Sequence, residues 1–202
     1  MSLDELLATA ERLVTDGITP ACQLAVARDG QLLEFATFGA ATNESRFSIF
    51  SATKPVVASL LWLLIGEGLV DPAALVSTYV PEFADKPVTV EQVMLHTSGF
   101  PDATLPRTAS RAERRAAFAS WRLAWEPGSR FEYHATSAHW VLVDIAERVT
   151  GRDFRDLVHE RVTEPLGLAR LLGEPVDGVV DCVRVGARSE EHTSELQSPC
   201  NL

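Results

Sequence analysis

From Pro55 to Ile65 the chain reads PVVASLLWLLI, with Ser59 as its one polar side chain and Lys54 directly in front of it. Such a run is far shorter than the roughly 20 residues that a membrane-spanning helix needs. A helix apolar on nearly every face has to be covered by other elements of the fold. The chain must therefore build its layers around this segment. Lysine occurs only at Lys54 and Lys86 while arginine is plentiful, so a lysine at the mouth of this run calls for a reason.

Ser51 stands three residues before Lys54. Side chains at i and i+3 share one face of a helix, so the lysine lies within hydrogen-bond reach of the hydroxyl. A serine hydroxyl is a poor nucleophile until a base takes its proton. Val56, Val57, Leu60, Leu61, Leu63 and Leu64 supply apolar surroundings, and burial favours the neutral amine that can act as that base. A serine at a helix N-terminus also turns its backbone N–H toward a developing oxyanion. Ser-x-x-Lys recurs by chance, and a lysine stem can run along apolar surface to water. On local physics both readings stay open.

The flanking sequence is punctuated by cap and turn signals. Ser2 and Glu5 have capping-box spacing ahead of Leu3, Leu6, Leu7, Ala10, Leu13 and Val14, which predicts a helix over about Leu3 to Thr15. Two β-prone runs joined by Asp29-Gly30 predict a hairpin. From Ser51 to about Leu172 the signals are mostly helical. Thr89 with Gln92 and Ser110 with Glu113 repeat the capping box, and Gly99 and Gly151 stand where helices stop. A lone hairpin is marginal and leaves two open edges, so its sheet needs further strands. PVDGVVDCVRVGA, after Gly173, offers the start of one more. The arginines of Arg107 to Arg115, on a short helix with Glu113, read as a solvated face.

The net charge of −10 argues against nucleic acid or an anionic membrane as partner. Cys22, Cys182 and Cys200 are too few and too scattered for a disulfide framework or a zinc site, and free, half-buried thiols in a reducing compartment are expected. The N-terminus is acidic and amphipathic, unlike a secretory signal, which predicts a cytoplasmic protein. Residues 188–198, RSEEHTSELQS, resemble the in-frame translation of a common sequencing-library adapter along their whole length. Residues 188–202 are accordingly set aside as a non-native tail, and the natural reading frame is expected to diverge after about Ala187.

FSIFSATKPVVASLLWLLIGEGLVD, VTVEQVMLHTSGFP and WEPGSRFEYHATSAHWVLVDIAERVTG resemble three successive landmarks of the serine β-lactamase and penicillin-binding-protein-like hydrolases. The resemblance is strongest to the class C β-lactamase-related, esterase-like branch and runs through nearly all of residues 1–187. It implies an α+β fold with helices flanking an antiparallel sheet, plus a helical lobe, the sheet being incomplete in this chain. The implied division is a helix and hairpin in 1–50, a mainly helical lobe in 51–172 and a return to the sheet in 173–187. The implied site has Ser51 as acylated nucleophile, Lys54 as proton acceptor and relay, and Tyr133 as a second acid/base group. It needs neither metal nor organic cofactor and takes a small-molecule ester or amide.

Two departures refine this. The family pattern Tyr-x-Asn reads here Tyr133-His134-Ala135, and alanine cannot make the amide contacts of asparagine, which favours ester over β-lactam hydrolysis. His134 itself is expected to be an exposed residue at a helix start. The family's third motif, Lys/His-Thr-Gly or a variant, is not found before the adapter-like tail. His96 to Gly99, which reads HTSG, lies on the wrong side of Tyr133 to be that motif and is read as a helix-end turn, with His96 structural. No Gly-x-Ser-x-Gly, His-Glu-x-x-His, Cys-x-x-Cys or phosphate-binding glycine loop occurs. The competing readings are a β-lactamase, a D-Ala-D-Ala-type peptidase, and a non-catalytic binding module.

Overall fold

The structure, a computed structural model, describes residues 1–47, 49–106, 108–173 and 179–180. The adapter-like tail, Cys182, Cys200 and most of the expected return to the sheet lie outside the described residues. The chain divides into two compact units, one holding residues 1–47 with 179–180 and the other residues 49–173.

In the first unit, α1 (Leu3–Thr15) opens on the expected capping box: Ser2 Oγ accepts from the Glu5 N–H, and the Glu5 carboxylate accepts from the Ser2 N–H at 2.6 Å. The helix packs on an antiparallel hairpin of β1 (Ala21–Arg28) and β2 (Gln31–Gly39). Asp29 and Gly30 at its tip both have positive φ (52° and 76°), the geometry of a type I′ turn that matches the twist of the strands. A bulge interrupts the ladder between Val26 and Ala27. A short strand β3 (Arg46–Phe47) pairs with β4 (Val179–Val180), and the pairing is parallel. Among the described residues of this unit only Ala10 and Ala21 are buried apolar side chains, while Leu32, Leu33 and Phe35 stay exposed. Among the described residues the hairpin and the β3–β4 pair form two separate two-stranded sheets. Cys22 is a free, half-buried thiol.

The second unit holds the core. The apolar run forms α2 (Thr53–Gly66), which buries Thr53, Lys54, Val57, Leu60, Leu61 and Leu64. Its other face, with Pro55, Ser59, Trp62 and Leu63, is exposed, so the run is covered along one side rather than all round. The covering elements are α5 (Ser137–Thr150) and α6 (Phe154–Val158). Before them come α3 (Val90–Met94) and α4 (Arg111–Ser120), each opened by its expected capping box. Gly151, at φ 71°, ends α5 in the left-handed conformation. Phe83, Phe100, Phe118 and Trp121 meet edge-on or tilted at 4.9–6.3 Å between ring centres and form an aromatic cluster within the core.

The arginines of α4 correct the expected solvated face. Arg114 is buried and pairs with the Glu147 carboxylate, while Arg111 Nε reaches the same group at 3.0 Å. Arg115 Nε lies 3.6 Å from Asp144 Oδ1, and Asp144 also binds Arg148 Nε at 2.5 Å. Asp144 and Glu147 are buried on α5. Carboxylates taken out of water require cationic partners, and α4 supplies them. Arg107 lies outside the described residues. Among the described residues no helix is long and apolar enough to cross a membrane.

Candidate active site

Ser51 lies in a single 3-10 turn, Phe50–Ala52, that runs directly into α2. Phe50 takes φ 44°, a left-handed conformation that a bulky residue adopts only under constraint from its surroundings. The constrained residue is thus the one that presents Ser51. One turn later Lys54 is buried on the covered side of α2, and its Nζ donates to Ser51 Oγ at 2.8 Å.

Tyr133 approaches from the segment that leads into α5. Three backbone N–H groups tie that segment to the turn after α3: Gly128 to Thr97 O at 2.9 Å, Glu132 to His96 O at 3.1 Å, and His134 to His96 Nδ1 at 3.1 Å. The Tyr133 hydroxyl donates to Ser51 Oγ at 2.8 Å, and Lys54 Nζ lies 4.9 Å from the centre of its ring. The three residues singled out in the sequence therefore meet at one oxygen. A hydroxyl flanked by an amine and a phenol has two neighbours able to take part in proton transfer at its oxygen.

His134 is fully buried, which corrects the expectation of an exposed residue. Its Nδ1–H donates to Glu132 O at 2.6 Å, and its Nε2 accepts from the Phe100 N–H at 3.1 Å with Ser98 Oγ at the same distance. The neutral ring staples the His96–Phe100 turn to the Tyr133 segment, and burial holds its pKa below the ordinary imidazole value. His96 is half-buried, with its ring 5.0 Å from that of Tyr133. Burial first, then the His134 ring and Lys54, lower its pKa to about 4.

Sequence reasoning passed over His139, on α5. Its ring is buried 6.1 Å from that of His96, and neither nitrogen has a hydrogen-bond partner among the described residues. Burial first, then the neighbouring Lys54 and His96, lower its pKa to about 3. Its signal was present: with His96 and His134 it makes three of the chain's five histidines, all around one site. Ala135 stands next to Tyr133 and His134, with no side-chain polar atom to offer. Among the described residues no three His, Cys, Asp or Glu side chains are grouped as metal ligands.

The beta-lactamase family profile matches residues 7–175, which takes in every residue of this site. The chain belongs to the beta-lactamase family. Among the relatives of this family member, the esterase/beta-lactamase LipL of Mycobacterium tuberculosis is 36% identical over 137 residues, 63% of this chain and 31% of LipL. Esterase EstB of Burkholderia gladioli is 29% identical over 175 residues, 71% of this chain and 44% of EstB. The chain thus spans less than half the length of either relative. The solved structure of EstCE1, described as a hydrolase with promiscuous acyltransferase activity, superposes with a TM-score of 0.76 at 22% identity, over 88% of this chain and 55% of EstCE1. The fold is the β-lactamase/transpeptidase-like α+β fold.

Proposed function

We propose that this chain carries the nucleophile of a serine hydrolase that works through an acyl-Ser51 intermediate, with a carboxylic ester as its substrate class. The observation that carries the reading is the pair of 2.8 Å hydrogen bonds that bring Lys54 Nζ and the Tyr133 hydroxyl to Ser51 Oγ. The names of LipL and EstB, both esterases in part or whole, support the substrate class, and Ala135 supports ester over β-lactam.

In the proposed reaction Ser51 Oγ attacks the ester carbonyl carbon while Lys54 Nζ takes its proton. The carbonyl electrons move onto oxygen, and the Ser51 N–H at the start of the helical turn offers a donor to that oxyanion. The tetrahedral species collapses by breaking its bond to the alcohol oxygen, which takes a proton from the Tyr133 phenol. Lys54 returns its proton to Tyr133, leaving acyl-Ser51. Water then attacks the acyl carbon and gives a proton to the Lys54 amine, and the Ser51 oxygen leaves, taking a proton from Tyr133 that Lys54 replaces. Tyr133 is exposed and Ser51 half-buried, so substrate can reach both, while Lys54 is shielded from solvent.

The test is mass spectrometry after treatment with a fluorophosphonate, with penicillin in a parallel sample. A stoichiometric adduct on Ser51 that disappears in Ser51→Ala supports the reading. Labelling that persists at another residue in Ser51→Ala overturns it. A penicillin adduct that forms while p-nitrophenyl esters are left intact would move the substrate class to β-lactams or acyl-D-amino acid peptides.

A further inference from the structure

We infer that His96 is a positioning residue for Tyr133, gripping the backbone on both sides of it. The residues before and after Tyr133 each direct their N–H to His96: Glu132 to its carbonyl oxygen and His134 to its ring Nδ1, both at 3.1 Å. The His96 ring then lies against Tyr133, with centres 5.0 Å apart and planes tilted by 43°. One residue thus fixes the backbone of Tyr133 at two points and borders its ring as well.

The backbone of His96 is shaped for this task. It has φ 58°, the left-handed region, which is uncommon for residues other than glycine and is tolerated best by Asn, Asp and His. That conformation follows the end of α3, where the chain reverses, and it accompanies the presentation of carbonyl and ring to the same neighbouring segment. The grip also requires one protonation state. His134 donates to Nδ1, so Nδ1 must be bare, and the burial of the ring favours the neutral form that leaves it so. The groups facing the ring are Tyr133, His134, His139, Phe131 and the Lys54 amine. A protonated His96 would set a ring N–H against the His134 N–H and add a charge beside Lys54.

The role in turnover rests on the acyl-serine reading, whereas the grip itself does not. The test uses the full chain with ζ-carbon-labelled tyrosine. Tyrosine occurs only at positions 79 and 133, so a Tyr79→Phe background leaves one signal, that of Tyr133. Two variants separate the ring acceptor from backbone strain. His96→Gly accepts the left-handed φ without an acceptor, and His96→Asn accepts it with an amide oxygen that can receive the His134 N–H.

The expected result is a Tyr133 signal near that of the unsubstituted chain in His96→Asn, and one moved toward free tyrosine in His96→Gly. Ester turnover should follow the same order, with kcat in His96→Gly lowered by about 100-fold and KM little changed, as for a displaced catalytic group. A native Tyr133 signal in His96→Gly overturns the inference, and so do equal displacements in the two variants. If fluorophosphonate fails to label Ser51 in the unsubstituted chain, the hydrolase reading falls, and the tyrosine signals still decide the grip.

Discussion

The Tyr133 hydroxyl donates to Ser51 Oγ at 2.8 Å, joining side chains 82 positions apart at the oxygen that Lys54 also reaches. The contact turns a common serine–lysine pair into a site with two routes for one proton. Tyr133→Phe keeps the ring beside His96 and Lys54 and removes only the hydroxyl. General acid–base groups typically contribute about 10²–10⁴-fold, so kcat for p-nitrophenyl ester hydrolysis should fall by that range with KM little changed. The same variant should still form the Ser51 fluorophosphonate adduct, more slowly. Steady-state kinetics beside timed mass spectra check both, and an unchanged kcat removes the phenol from the mechanism.

Two site imidazoles link the fold to pH. Burial is the main cause that lowers His139 to about 3 and His96 to about 4. In the unfolded chain both take up a proton near the ordinary value of about 6.5. Below that pH the unfolded state binds protons that the folded state refuses, so stability falls as pH drops. The loss runs from about 6.5 down to the folded values and then stops, because both states are protonated beneath them. For His139 the slope approaches ~1.4 kcal/mol per pH unit inside the window, and half-buried His96 adds less. Urea unfolding at a series of pH values should show this decline, and His139→Gln should flatten it. A stability independent of pH across the window would contradict the burial of these rings.

What was legible in the sequence follows the distance between partners. Ser2 with Glu5, Thr89 with Gln92, and Ser110 with Glu113 act within one turn, and each forms the capping box that its spacing suggests. Asp29-Gly30 makes the hairpin turn for the same local reason. Lys54 was readable because Ser51 lies three residues away, and Tyr133 only through resemblance to a family. His134 read as exposed because the Ser98 hydroxyl and Phe100 N–H that bury it lie 36 and 34 positions earlier. Arg114 read as solvated because its carboxylate, Glu147, lies 33 positions later on another helix. Polar residues with distant partners look like surface until the fold brings the partners together.

The Arg114–Glu147 pair supplies a stability prediction. Both side chains are buried, and Glu147 also receives Arg111. Glu147→Ala leaves the buried Arg114 guanidinium with only the Asp144 carboxylate, 3.8 Å away, and breaking a buried pair typically costs about 3–5 kcal/mol. For a chain of this size that corresponds to a fall in Tm of roughly 10 °C. Arg114→Met added to Glu147→Ala should recover part of the loss, because the under-compensated buried charge goes with it. Calorimetry on the single and double variants measures the coupling. A double variant less stable than Glu147→Ala alone would mean that Arg114 finds other partners once Glu147 is gone.

Gly99 makes the last prediction, because the staple at His134 depends on it. Its φ is 91°, and a Cβ built there would lie 2.7 Å from the Trp125 carbonyl oxygen. That oxygen belongs to the backbone and cannot rotate aside. Gly99 O also accepts the Ala124 N–H at 2.7 Å, so the two segments are already drawn close. Gly99→Ala must push them apart, and the flanking Ser98 and Phe100, which hold His134 Nε2, move with it. Strain of this kind costs of order 1–3 kcal/mol, and ester turnover should fall as Tyr133 loses its backing. Gly66→Ala is the control: it lies in α2 with nothing within 4 Å of its added Cβ and no positive φ. There alanine should be neutral or stabilising by about 0.5–1 kcal/mol. Thermal melts and ester kinetics on the two variants separate a glycine needed for close approach from one that merely tolerates replacement.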